Sequence, residues 1–439
     1  MPLPPYYPDT PLVRKTVARY YDCVTVMDKE VGRILDELQS DGLADDTIVF
    51  FYSDHGSGMP RHKRALLDSG MHVPLLIRFP PKYRHLAPTD PGESVDRLVC
   101  FDDFGPTVLN LAGVEPRPDF MTGRSFLGPN SPPPRRYVYG HRDRVDEVID
   151  MARSVRDRRY LYIRNYMPHL GYNQQSAWVD QGKLIHDFYR LATSGSITPA
   201  QRQFVGPSRP IEELYDCLRD PLNLVNLCDS DEHREILKRM RTEHRDWVLR
   251  SRDLGFLPET EQWGIAPDAI PMHWAGTDRY NLPAILNIAT HVGTDDLGAF
   301  LSGLTDDDPA IRYWSALGMA AASALDESCV EALAHSLKDP SPCVRIESAT
   351  ALARHGYADR ALTTLAELLK GDDPTTVLHA ARAVELIGDE ASALHVDIED
   401  LFDRYENDPT DIAWFIRFTT TGYLDPVSYT HLRAHETND

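Results

Sequence analysis

The chain has 439 residues and a formal net charge of −21, from 67 acidic and 46 basic side chains, with 42% apolar residues. Its length suggests two or three domains and its apolar share is enough for real cores, while the negative charge argues against nucleic acid and anionic membrane surfaces as partners. No stretch approaches the apolar length of a membrane span, so none is expected to cross a bilayer.

Val13, Val17, Tyr20, Val24, Met27, Val31, Ile34 and Leu38 recur three or four residues apart and predict one face of a long amphipathic helix, with Gly42 as its stop. The run Ile48 to Ser53 then reads as an apolar strand ending at Asp54-His55-Gly56. An acid and an imidazole at the carboxyl end of a strand stand where open α/β folds place ligand chemistry, which points to a metal or anion site. A basic loop follows, Arg61-His62-Lys63-Arg64, and then a second strand from His72 to Phe79, bounded by Pro80 and Pro81. Local positive charge beside the Asp-His pair suits an anionic ligand.

At these residues the chain resembles the type I sulfatases of the alkaline phosphatase superfamily. The ordered match runs through Tyr20-Tyr21, Asp28, Val31-Gly32, Ser53-Asp54-His55-Gly56, Lys63, Gly70 and Val73-Pro74. It continues through Asp103-Phe104-Gly105-Pro106-Thr107, Gly113, Gly123-Arg124-Ser125, Glu213-Leu214-Tyr215-Asp216, Asp220-Pro221 and Asn226-Leu227. The resemblance implies that Asp54 and His55 are ligands of a calcium ion and that Lys63 contacts the sulfate. A hard divalent cation takes carboxylate oxygens and polarises a sulfuryl oxygen, and a Lys supplies a mobile point charge. Imidazole is an unusual calcium ligand, so His55 has a second reading as a hydrogen-bond donor to the sulfate. Seen alone, Asp-His after a strand would more often be a helix cap or turn.

Family members also carry two adjacent acidic ligands on a first strand and a C/S-x-P-x-R motif oxidised to formylglycine, the nucleophile. The sequence opens Met1-Pro2-Leu3-Pro4-Pro5, past both, and the formal match Ser131-Pro132-Pro133-Pro134-Arg135 lies in a polyproline-like stretch after the metal motif. The expectation is therefore the C-terminal part of a longer enzyme, with half a metal shell, no nucleophile and little turnover by itself.

Residues 137 to 260 read as a smaller subdomain with an antiparallel sheet, from the alternation at Tyr137 to Gly140 and Tyr160 to Tyr166 and the turn at Asp220-Pro221. Between those strands lies a dense charged loop, His141 to Glu147. Tyr139-Gly140, Glu147-Val148 and Met151 to Val155 look like the matching segment of heparan N-sulfatases (sulfamidases), where this loop borders the sugar cleft. That resemblance makes Arg142, Asp143 and Glu147 candidate substrate contacts, since carboxylates accept from sugar hydroxyls and Arg can hold a second sulfate bidentately. A solvated charged turn with internal ion pairs is the other reading. Of the six cysteines, Cys23, Cys329 and Cys343 sit in helical patterns and read as buried small hydrophobes, and a Cys217 to Cys228 disulfide stays open.

From about Asn281 the sequence is Ala- and Leu-rich, and Ile311, Val344 and Val377 recur in Asp-Pro-led segments before Ala-rich stretches. These resemble HEAT-type repeats, in which Pro opens each helix and each helix pair buries its stripe against the next. Asn407-Asp408-Pro409 opens a further unit, and after Leu424 the pattern is abandoned for a tail of non-native appearance, whose His431 and His435 are not read as ligands.

The fold class read from the sequence is α/β: the C-terminal part of a sulfatase or alkaline-phosphatase-like domain with a small antiparallel-sheet subdomain, followed by an all-α HEAT-like solenoid. The boundaries are 1–136, 137–260, a linker at 261–280, repeats at 281–425 and the tail at 426–439. The function read is a calcium-dependent, formylglycine-type hydrolase of sulfate esters or sulfamates on a carbohydrate, with a protein partner for the repeats and a periplasmic or secreted setting by family. Two alternatives stand beside it: a phosphoester hydrolase of the same superfamily, and a non-catalytic repeat scaffold with a degenerate sulfatase-like part.

Overall fold

A computed structural model describes residues 2–117, 121–180, 182–265 and 271–424, so the tail with His431 and His435 lies outside the described residues. The chain divides into two compact units. One holds Met1–His141, Arg153–Ile163 and Glu212–Arg241, and the other holds Arg142–Ala152, Arg164–Ile211 and Thr242–Asp439.

The first unit begins with α1 (Pro11–Ser40), which Thr10 caps by accepting from the Val13 amide at 3.1 Å while Pro11 supplies a preset φ in the first turn. It stops at Asp41, and Gly42 adopts a φ of +69°. The apolar stripe is real but mostly uncovered: Val13 and Val17 are buried, whereas Tyr20, Val24, Met27 and Ile34 are exposed, Ile34 by 55%. Periodicity places side chains on one face and does not say what covers that face. Cys23, expected inside, is exposed for the same reason, while Cys329 and Cys343 are buried. Cys217 and Cys228 are both free thiols, and burial pushes each up to about 12.

Strand β1 (Val49–Tyr52) pairs antiparallel with β2 (Leu75–Arg78), in a register running from Val49 opposite Arg78 to Tyr52 opposite Leu75. The apolar composition suggests burial on both faces, but Tyr52 and Leu76 are exposed, because a two-stranded sheet buries both faces only when layers cover it on both sides. A four-stranded sheet follows in the order β3 (Val138–Arg142), β4 (Ala152–Arg156), β5 (Tyr160–Asn165) and β6 (Glu212–Asp216). The alternation in β5 predicts a half-buried strand, yet all six of its residues are buried. Two of its polar side chains find partners within the protein: the Tyr162 hydroxyl donates to Glu212, and Asn165 Nδ2 donates to the Pro210 carbonyl at 2.8 Å. Val155, Tyr160, Tyr162 and Leu214 of this sheet form one core with Tyr137 and with Leu237 and Met240 of the helix Arg234–Ser251.

The second unit contains a helical-repeat solenoid, whose helices share one continuous core. The helices Pro309–Ala320, Pro342–Arg354 and Pro374–Ile387 each open on proline and pack in succession with Asp411–Leu424; Glu327–Ser336, Ala358–Leu369 and His395–Tyr405 form the companion row. Asp308 accepts from the Ala310 amide at 2.9 Å and Asp373 from the Thr376 amide at 3.0 Å, so in these two helices the Asp-Pro step is a cap followed by a first turn, while Ser341 stands at the cap position of Pro342–Arg354. Ile311, Val344 and Val377, the recurrent apolar positions, are all buried.

Close approach in the solenoid is set by small residues. A Cβ on Gly318 would lie 2.3 Å from the Phe300 ring, so Gly318→Ala should lower stability by about 1–3 kcal/mol through overpacking. Gly32, in mid-helix with nothing within 4 Å, should show the opposite sign, Gly32→Ala gaining about 0.5–1 kcal/mol. Thermal or urea melts of the two variants check both signs.

Candidate metal and anion site

Beyond β1 the chain makes a loop, residues 53–70, that folds back on itself. The Gly56 amide donates to the Gly70 carbonyl at 2.9 Å, and the Lys63 amide donates to the Ser57 carbonyl at 3.0 Å. Ser53 closes the stem by donating its hydroxyl to the His55 carbonyl at 2.7 Å.

Asp54 and His55 are brought together. Asp54 Oδ1 accepts from the His55 amide at 3.0 Å, and Oδ2 lies 3.3 Å from His55 Nε2. Both face solvent, the Asp54 side chain 81% and the His55 side chain 38% exposed. His55 Nδ1 is 2.7 Å from the Gly56 carbonyl oxygen, which can only accept, so the proton is on Nδ1. In neutral imidazole Nε2 then carries a lone pair turned towards a carboxylate oxygen, an arrangement that a shared cation or a second proton resolves.

The basic run separates into distinct roles. Arg61, with a φ of +67°, is buried and donates to the carbonyls of Leu222 at 2.8 Å and Asn223 at 2.6 Å, with its guanidinium 4.7 Å from the Tyr6 ring centre. His62 is held between the Ser57 hydroxyl, 2.8 Å from Nδ1, and the Tyr6 hydroxyl, 3.1 Å from Nε2, with the Tyr7 ring stacked alongside. Lys63 is exposed, on the same loop as the Asp-His pair. Tyr6, Tyr7 and Asn223 were not among the residues singled out; their role rests on contacts across long stretches of chain, which local patterning does not carry.

Arg142, Asp143 and Glu147 lie in the second unit. Arg142 Nε is 2.8 Å from Asp150 Oδ2, and Asp150 is also gripped by Arg209, with Nη1 at 2.9 Å. Burial pushes the Asp150 carboxyl up, but the two guanidiniums outweigh it and the net shift is down. Glu147 is 2% exposed and accepts from the Ala177 amide at 2.7 Å. Asp143 is half-buried, and Arg144 makes a bidentate pair with Glu259, both contacts at 2.6 Å. Internal ion pairs thus hold much of this loop.

Comparison with known proteins matches residues 3–114 to the Sulfatase family and residues 297–411 to HEAT repeats. The chain carries a sulfatase-family segment. An ulvan-active sulfatase of Formosa agariphila is 38% identical over 259 residues, covering 59% of this chain and 42% of that protein. The human N-sulphoglucosamine sulphohydrolase is 28% identical, covering 61% of this chain and 53% of that one. The chain therefore spans about half, or less, of the length of these curated relatives. A solved structure in complex with its substrate D-glucosamine-2-N,6-O-disulfate aligns at 20% identity with a TM-score of 0.33, over 51% of this chain and 38% of that one, too low a likeness to carry an argument. The sulfatase segment includes α1, both strands of the first sheet and the whole 53–70 loop.

Burial, with Arg61 adding to it, lowers His62 from 6.5 to about 4, so the folded loop holds it neutral. The unfolded chain binds that proton first, so stability is full above about pH 6.5 and is lost as pH falls towards 4. Melting temperatures of His62→Gln across this window should fall less steeply with acid than those of the parent chain.

Proposed function

We propose that this chain forms part of a hydrolase of sulfate esters or sulfamates on a carbohydrate, with Asp54 and His55 contributing to a calcium site and Lys63 contacting the sulfate. The observation that carries the reading is the approach of His55 Nε2 to Asp54 Oδ2 at 3.3 Å. With Nδ1–H donated to the Gly56 carbonyl, the Nε2 lone pair and Asp54 Oδ2 converge at 3.3 Å on the solvent side, as two ligand atoms of one cation would. The pair fits such an ion in part: calcium takes six to eight mostly oxygen ligands, and these side chains offer one carboxylate and one imidazole. When bound, the ion would polarise a sulfuryl oxygen.

The sulfatase segment and the curated relatives, one active on ulvan and one named for N-sulphoglucosamine, support a sulfated sugar as the substrate class. Exposed Lys63 offers a charge that can follow the anion, whereas Arg61 is fixed on carbonyls. The formylglycine mechanism of the family needs a nucleophile that we assign to no residue of this chain. By the same resemblance Arg142, Asp143 and Glu147 of the charged loop of the second unit are candidate sugar contacts, of which Arg142 pairs with Asp150 and Glu147 accepts from the Ala177 amide.

Calcium titration tests the reading. A ligand at a hundred times its Kd adds about 2.7 kcal/mol, enough for a clear rise in melting temperature. The rise should be lost in the Asp54→Ala, His55→Ala double variant and kept in Lys63→Ala, which should instead lose any further rise produced by added sulfate. An equal calcium response in the parent and the double variant would sink the assignment.

A further inference from the structure

The first unit also holds a basic recess of about 410 Å³, lined by Arg136, Asp157, Arg158, Arg159, Tyr160 and Arg239. Four guanidiniums around one opening stand out in a chain of net charge −21. The single lining carboxylate, Asp157, pairs with one of them, Arg239, and leaves the other three without a carboxylate from the recess lining. Asp157 Oδ1 accepts from the amides of Arg159 at 2.8 Å and Tyr160 at 2.6 Å, and Oδ2 accepts from Arg239 Nη2 at 2.7 Å. Asp157 anchors the turn between β4 and β5, and that turn carries Arg158 and Arg159.

The donors left over can be counted. Arg239 uses Nη1 on the Tyr137 hydroxyl at 2.8 Å, and Arg159 grips buried Asp216 through Nε and Nη2, so Arg159 keeps Nη1. Arg158 pairs with Asp96, but the two side chains are 67% and 70% exposed, and an exposed pair of this kind is worth about 0–1 kcal/mol, so an incoming anion displaces it cheaply. Arg136 is exposed and has no carboxylate partner among the described residues. It lies 5.2 Å from the Tyr137 ring centre, and Arg239 lies 5.8 Å from the same ring. One aromatic ring thus carries two guanidiniums, at least one of them with its full set of five N–H donors unused.

We propose that this recess is a binding site for a sulfated oligosaccharide, in which Arg136 and Arg158 hold one sulfate group by charge-assisted hydrogen bonds while Arg159 and Arg239 line the floor. The volume suits one or two sugar rings. Guanidinium forks accept sulfate and phosphate esters alike; the choice of sulfate rests on the proposed function, whereas the oxyanion site does not.

Isothermal titration calorimetry of the full chain with a heparin-derived hexasaccharide, its desulfated counterpart and inositol hexakisphosphate tests this. The sulfated hexasaccharide should bind, and the Arg136→Ala, Arg158→Ala double variant should bind it about tenfold or more weakly. Both side chains are exposed, so the variant should melt at the parental temperature. The arginine variant should keep the parent's calcium-induced rise in melting temperature, which separates this site from the proposed metal site. Unchanged affinity in the arginine variant, equal binding of the desulfated sugar, or tighter binding of the inositol phosphate would each overturn the proposal.

Discussion

The candidate site depends on two strands of backbone crossing where no side chain fits. A Cβ on Gly56 would lie 1.9 Å from the Ser69 carbonyl oxygen, and one on Gly70 would lie 2.2 Å from the Ala65 oxygen and 2.4 Å from the His62 oxygen. Only glycine permits that approach, and it lets the Gly56 amide reach the Gly70 carbonyl at 2.9 Å. The crossing fixes the stem that carries Asp54 and His55 and forces the rest of the loop into a compact turn. The Asp-His pair is therefore preorganised by backbone contacts below it rather than by burial within a wide sheet, which is why both side chains stay open to solvent while their separation is set.

Charge within that loop is sorted by direction. A guanidinium buried without acceptors would be costly, and Arg61 avoids the cost by donating to two carbonyls of the 222–223 turn. An imidazole next to it is kept neutral by burial and by that same positive charge. Of the consecutive residues 61–63, the first fastens the loop, the second packs beneath it and the third faces outward. The loop at residues 142–150 shows the same economy: Asp150 sits between two arginines and Glu147 caps an amide. Dense charge in a sequence can mean a ligand surface or an internal lattice, and only the direction of each side chain separates the two.

This bears on what could be read in advance. The α1 stripe, the strand before Asp54, the neighbourhood of Asp54 and His55, and the Asp-Pro-led helices were legible because each depends on residues a few positions apart. Strands β4 and β6 were not legible as strands, their residues entering only as motif matches: they bury Arg153 and Glu213, charged residues that mask the strand pattern. The exposure of Cys23 and of the α1 stripe was not legible, since it depends on what lies opposite. The same holds for the support of the site. Tyr6 reaches His62 across 56 positions, and Arg61 reaches Asn223 across 162, and no local period encodes such pairs.

The solenoid shows how a repeat can be used internally. Its proline-led helices are held by other parts of the second unit: Trp314 Nε1 donates to the Phe256 carbonyl at 2.8 Å, Ser341 donates to Glu261 at 2.8 Å, and Arg382 Nη2 donates to Gln174 at 3.1 Å. Glu259 joins Arg144 and His379 in one network, and its carboxyl lies below the usual range: burial acts to raise it, but hydrogen bonds and charge from His379 and Arg144 outweigh that. The contacts fall on three successive repeat helices, so the row is stapled at several points by chain from outside the repeats. Helix pairs in a solenoid are stabilised only by their neighbours, and such staples couple repeats that would otherwise open singly.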